Sequence, residues 1–274
     1  MIGLIVLALP TLLHKAGLHP EYHGEIAQVP AGKRALIIAT NHSVLSAPGE
    51  TSGDATGVMA SEMTHPYYNF LDAGVEVDIA SIKGGEIPVD PQTLSRIVRT
   101  PEDDRFLADS IFLAKVKNSL TIVDVDVTQY DIIFIAGGWG AAYDLGYSTE
   151  LGEKITEAYY ADKQAVIGGV CHGVLGLIKA KDRDGNLLIA GRRMTGVTDK
   201  QIKELGIIDI TPQHPEAELR KAGVIFESQT AFRDLFATHV VVDDEERFVT
   251  GQNQNSGHET AQKMMAIVAK NSML

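Results

Sequence analysis

Two short apolar runs constrain this chain more than any other feature. DIIFIAGG (Asp131–Gly138) and AVIGGVCHG (Ala165–Gly173) are apolar without alternation and end in glycine. Each has the length of a strand, and a strand apolar on both sides needs cover on both faces. The segment between them, LGEKITEAYYADK (Leu151–Lys163), is amphipathic at helical spacing. The same alternation runs along the rest of the chain. RALIIAT (34–40) and VEVDIAS (75–81) read as strands on either side of a helical stretch, 56–74, that Pro66 is able to kink or break. Residues 101–119 open with acids behind Pro101 and read as one helix. Residues 174–181 read as a helix after the second glycine turn, with short helices in DKQIKELG and PEAELRKAG. Strands follow in VIFES and HVVVDDEERFVTGQ, and SGHETAQKMMAIVAKN closes the chain as a helix. Strands alternating with helices predict an α/β fold, an open and mostly parallel sheet of flavodoxin-like form with helices on both faces.

Nothing between residues 34 and 274 reads as a linker or an internal repeat, so this part is expected to be a single domain. A polar connector, 23–33, precedes it. Residues 1–22 are different: Ile2 to Leu13 is almost wholly apolar before His14 and Lys15. That stretch is shorter than the ~20 residues that span a bilayer, and it lacks the basic start and cleavage site of a signal peptide. Three readings stand: part of a membrane anchor, an uncleaved signal-like segment, or an apolar helix docked on the body. Membrane association is therefore an open expectation. A net charge of −12 and the absence of a basic run argue against a nucleic-acid partner. One cysteine excludes an internal disulfide.

That cysteine carries the chemistry. Gly169-Val170-Cys171-His172-Gly173 puts it between two glycines where a strand ends and a helix is expected to begin, the arrangement of a nucleophile elbow. A thiol at a helix start is favoured as the thiolate, and the N–H groups there can receive an oxyanion. The competing account is a small packing thiol, common in protein cores. The glycine context favours the nucleophile.

Several motifs in order also carry a resemblance. GGVCHG, IAGGWGAAYDL, TGVMASEMTHPYYNFLDAGVEVDIAS and VTGQNQNSGHETAQ resemble the PfpI-like superfamily, which has the class I glutamine amidotransferase-like fold. KGGEIPVDPQTL is similar to an insert of its larger heat-shock chaperone/glyoxalase III branch. The resemblance implies that Cys171 is the nucleophile, His172 its neighbouring histidine, and Glu62 the helix-borne acid lying against the thiol. It implies an oxyanion hole at Gly137-Gly138, with the Gly138 N–H as donor. Trp139 stands where the family commonly has histidine, and is expected to shape or close the pocket. The acid that orients the histidine falls on Ile202 when the pattern is laid on this sequence. Asp199 is the chosen substitute and Glu204 the second; without either, the site reduces to a Cys–Glu dyad with a loosely held histidine.

The expected function is a cofactor-free cysteine enzyme acting on a small reactive carbonyl, of the glutathione-independent glyoxalase or deglycase type. Amidase or peptidase chemistry at the same elbow is one rival; a holdase chaperone or redox-stress sensor is another. A glutamine amidotransferase proper is disfavoured, because His258 and Glu259 adjoin with no residue between them. Dimers are usual in the superfamily, so a homodimer is expected. No metal is required on this reading. His65, three residues after Glu62, is read as capping near Pro66, and His42, His214, His239 and His258 as surface or loop residues.

Overall fold

The computed structural model describes residue 9 and residues 11–273. Its strands are β1 (Arg34–Ala39), β2 (Val44–Leu45), β3 (Asp54–Ala55), β4 (Glu76–Ser81), β5 (Leu120–Thr121), β6 (Ile132–Ile135), β7 (Val166–Val170), β8 (Arg193–Met194), β9 (Ile225–Phe226), β10 (Val240–Val242) and β11 (Phe248–Gly251). Seven of them form one sheet in the order β10-β11-β7-β6-β1-β4-β5. Every pairing in it is parallel except β10 with β11. The pairs β2–β3 and β8–β9 are small separate ribbons.

The central strands show why the runs are uniformly apolar. In β1, Ala35, Ile37 and Ala39 face a layer that holds Met63 and Phe70 of helix Ala60–Asp72 and Met264, Met265 and Val268 of helix Gly257–Asn271. Leu36 and Ile38 face the opposite layer, with Leu151 and Ile155 of helix Thr149–Tyr160. Both faces are covered, as the continuous apolar runs require.

Three local expectations are corrected. Pro66 lies inside helix Ala60–Asp72 and does not break it. Its missing N–H would have paired with the carbonyl four residues back, that of Glu62. The stretch 101–119 is two helices, Pro101–Ala108 and Ser110–Lys117. The break falls at Asp109, whose extended backbone lets its carboxylate accept from the N–H groups of Ile111 and Phe112. The first of these helices starts at a reciprocal cap, with Thr100 Oγ1 accepting from Asp103 N and Asp103 Oδ2 from Thr100 N. After β7 the chain forms a 3₁₀ segment, Cys171–Leu177, not an α-helix over 174–181.

Residues 11–15 are helical, and Leu18 and His19 are buried against the body. Asn255 holds this stretch: its Oδ1 accepts from His19 N (2.8 Å) and its Nδ2 donates to Gly17 O (2.9 Å). The anchor and signal-like readings turn on residues 1–8 and 10, outside the described residues. Among the described residues no helix is long and apolar enough to cross a membrane.

Candidate active site

β7 stops at Val170 in extended conformation, and Cys171 turns the chain with φ +56°. A left-handed backbone at a residue with a side chain costs of order 1–3 kcal/mol and persists where the surroundings enforce it. The enforcement here is the neighbouring strand. A Cβ on Gly173 would lie 2.2 Å from Ile135 O of β6, and one on Gly169 2.4 Å from the same oxygen. Only glycine on both sides lets the turn settle onto the end of β6. The thiol thus emerges at the carboxyl edge of a parallel sheet, where sites of such folds lie.

Helix Ala60–Asp72 brings Glu62 to the same point, fully buried beneath the thiol. Gly137 makes room for it, since a Cβ there would stand 2.5 Å from Glu62 Oε2. Burial pushes the Glu62 carboxyl up to about 8; the Cys171 thiol and the amides of Gly137 and Gly138 pull weakly the other way. Neither carboxylate oxygen makes a full hydrogen bond, which is why burial prevails. Burial, followed by the charge of Glu62, holds the Cys171 thiol well above its ordinary range, against the opposing N–H groups of His172 and Gly138. Burial therefore works against the thiolate that a helix start favours. The 3₁₀ segment has seven residues, and desolvation outweighs what its amides supply. His172 Nδ1 faces the sulfur at 3.4 Å. Burial, then the nearby His214, lowers His172 to about 3. Burial thus favours the uncharged form of all three groups, carboxylic acid, thiol and imidazole.

The structure brings together Cys171, His172, Glu62, Gly137 and Gly138, but not the expected orienting acid. His172 Nε2 is buried with no partner. Asp199 sits at the start of helix Asp199–Glu204, where its N–H donates to Glu216 Oε2, tying this turn to helix Pro215–Lys221. Burial and Glu216 raise its carboxyl, and it makes no hydrogen bond to His172. Glu204 is engaged elsewhere, accepting from Asp234 N (2.9 Å) and lying 3.8 Å from Lys200 Nζ. The arrangement matches the Cys–Glu pair with a loosely held histidine.

Trp139 lines a cavity of about 260 Å³ in front of Cys171 and His172. Its other walls come from distant segments, among them Leu18, Val197, Ile202, Leu205 and Phe236. Apart from Ile202, the position on which the family's acid falls, sequence reasoning missed these; they carry no signal beyond being apolar.

A second cluster was also missed. His65 lies mid-helix and buried, not at a cap, and its ring stacks on His258 (centroids 3.9 Å apart) in helix Gly257–Asn271. Each Nε2 faces Glu102, at 3.6 and 3.8 Å. Ligand atoms of these three residues lie within 4.8 Å of one another, close enough to surround a metal ion. The hydrogen bonds argue otherwise: Asn69 Nδ2 donates to His258 Nδ1 (2.8 Å) and to His65 O (2.7 Å). An accepting Nδ1 leaves the proton on Nε2, directed at Glu102, where a metal would need a lone pair.

A sheet with this switch of strand order, and a cysteine elbow over a buried acid, defines a class of protein that the comparisons specify. Residues 55–267 match the model of the DJ-1/PfpI family, and the chain belongs to that family. Its similarities point to the glyoxalase III branch. It is 30% identical to Glyoxalase 3 of Candida albicans over 79% of this chain and 91% of that one. It is also 30% identical to the glutathione-independent glyoxalase HSP31 of Saccharomyces cerevisiae, over 84% and 96%. Among solved structures, Rapid Encystment Protein 24 KDa of Francisella tularensis superposes with a TM-score of 0.77 at 33% identity, covering 86% of this chain and 99% of that one. Glyoxalase III of C. albicans gives 0.75 at 28%, covering 85% and 96%.

Proposed function

We propose that this protein is a glutathione-independent glyoxalase that converts a 2-oxoaldehyde and water to a 2-hydroxy acid on Cys171. The observation that carries the reading is the buried Glu62 carboxyl against the Cys171 thiol, with His172 Nδ1 at 3.4 Å from the sulfur. The names of the relatives support it.

The chemistry balances with these groups alone. Sulfur attacks the aldehyde carbon while His172 takes the thiol proton and Glu62 protonates the oxygen, giving a hemithioacetal. The N–H groups of Gly138 and His172 stabilise that oxygen as its charge develops. The Glu62 carboxylate then removes the proton from the former aldehyde carbon, and protonated His172 gives its proton to the adjacent carbonyl oxygen. The resulting enediol takes a proton from Glu62 at its second carbon and loses its first hydroxyl proton to His172, leaving a thioester. Water cleaves the thioester; its proton goes to Glu62, and His172 reprotonates the departing sulfur. A histidine held neutral and an acid held protonated are the forms this sequence starts from.

The test follows methylglyoxal by proton NMR without glutathione. Lactate formation by the native protein supports the reading. Unchanged methylglyoxal, alongside amine release from simple amides, would replace it with hydrolase chemistry.

A further inference from the structure

We infer that the preferred substrate is a 2-oxoaldehyde bearing an uncharged apolar group larger than methyl, such as a branched alkyl or phenyl group; this rests on the glyoxalase reading. The cavity in front of Cys171 measures about 260 Å³, more than a three-carbon dicarbonyl fills. Its walls are apolar side chains, with Leu18, Trp139, Val197, Ile202 and Phe236 facing the space above the thiol. No lysine or arginine lines it among the described residues, so a phosphate or carboxylate on the substrate meets no counter-charge.

Apart from His172 at the thiol and the side chain of Gln92, the polar side chains that reach the cavity are already engaged. Asp90 accepts from Thr56 Oγ1 (2.9 Å) and from Gln92 N (2.9 Å). Thr93 Oγ1 donates to Asp90 O (2.7 Å) and accepts from Ala60 N (3.1 Å). Gln201 accepts from Asn253 Nδ2 (2.8 Å) and donates to Gln254 Oε1 (3.3 Å), and Gln254 Nε2 donates to Leu235 O (2.9 Å). A sugar-like chain of hydroxyls would find few partners without breaking these bonds, and desolvating such hydroxyls without replacement is costly. An apolar group loses nothing there and gains by leaving water. The reacting end is served by the polar groups at the thiol, and the tail by the walls.

Leu18 gives the N-terminal segment a part in this specificity. Leu13 and Leu18 of this stretch line the cavity, and Asn255 holds the stretch by accepting from His19 N and donating to Gly17 O.

The experiment measures kcat/KM without glutathione for glyoxal, methylglyoxal, isobutylglyoxal, phenylglyoxal and a glyoxal bearing a carboxylate. Each value is divided by the rate of the same aldehyde with a simple free thiol, which removes intrinsic reactivity. With three more carbons to bury, isobutylglyoxal is expected to exceed methylglyoxal by about 50-fold when fully buried and by about ten-fold when half buried, with the carboxylate-bearing compound below both. Leu18→Ala and Trp139→Ala are expected to lower the ratio of isobutylglyoxal to methylglyoxal. A flat series, or methylglyoxal preferred, overturns the inference and leaves the glyoxalase reading standing. Inactivity toward every aldehyde overturns both.

Discussion

Glu62→Gln isolates the proton that the site is built around. Glutamine keeps the shape of a protonated carboxyl and cannot ionise. Burial raises Glu62 from 4.5 to about 8, so between those values the folded protein keeps a proton that the unfolded chain has released. The sign follows from linkage: stability is fully retained below the unfolded value of 4.5 and is lost as pH rises toward 8. Each pH unit inside that window costs about 1.4 kcal/mol. Between pH 5 and 7.5 the native protein is expected to lose about 3 kcal/mol relative to Glu62→Gln, an upper-range figure for one buried carboxyl. Cys171 does not interfere, because its unfolded form titrates only near 9. His172 is lowered to about 3, so it costs stability below its unfolded value of 6.5, equally in both proteins. Urea unfolding at several pH values, both proteins side by side, reads the difference directly. Parallel curves across the window would refute a buried, proton-holding Glu62.

Other outcomes follow from the same geometry. Asp199→Asn should change kcat/KM by less than about three-fold, whereas losing a true orienting acid costs about 10⁴; steady-state kinetics decide. Because His172 stays neutral down to about 3, kcat/KM should show no acid limb near pH 6.5. It should fall as pH rises through about 8, where Glu62 gives up its proton, and a pH–rate profile checks both limbs. Gly173→Ala forces a Cβ to within 2.2 Å of Ile135 O, so a loss of about 3 kcal/mol or more, or failure to fold, is expected in denaturant titration.

The layered fold was legible because its evidence is local. Uniformly apolar strands, amphipathic helices between them and glycines at strand ends are all patterns within a few residues. The elbow was legible for the same reason: Gly169 and Gly173 sit two positions either side of Cys171. Details decided by tertiary contact were not. Asp109 breaks a helix by turning its carboxylate onto the next turn, and 110–117 looked continuous with 101–108. Asp199 was chosen as the partner of His172 from the family pattern, yet its carboxylate makes no hydrogen bond to His172 and only its backbone N–H is engaged, on Glu216 seventeen residues on. Glu62 had no local signal at all and entered through family resemblance. The largest revision concerned charge. A helix start favours a thiolate, but the amount of water removed from around Cys171 is a three-dimensional quantity, and it pulls the other way. The cavity walls were invisible for the same reason, since Leu18 and Phe236 are far apart in the chain.

The central claim is that the Cys171 sulfur performs the carbonyl chemistry. Native protein and Cys171→Ala, matched in concentration and shown folded by circular dichroism, are each given methylglyoxal without glutathione. The account predicts steady conversion to lactate by the native protein and none above background by the variant. Equal consumption by Cys171→Ala would contradict it.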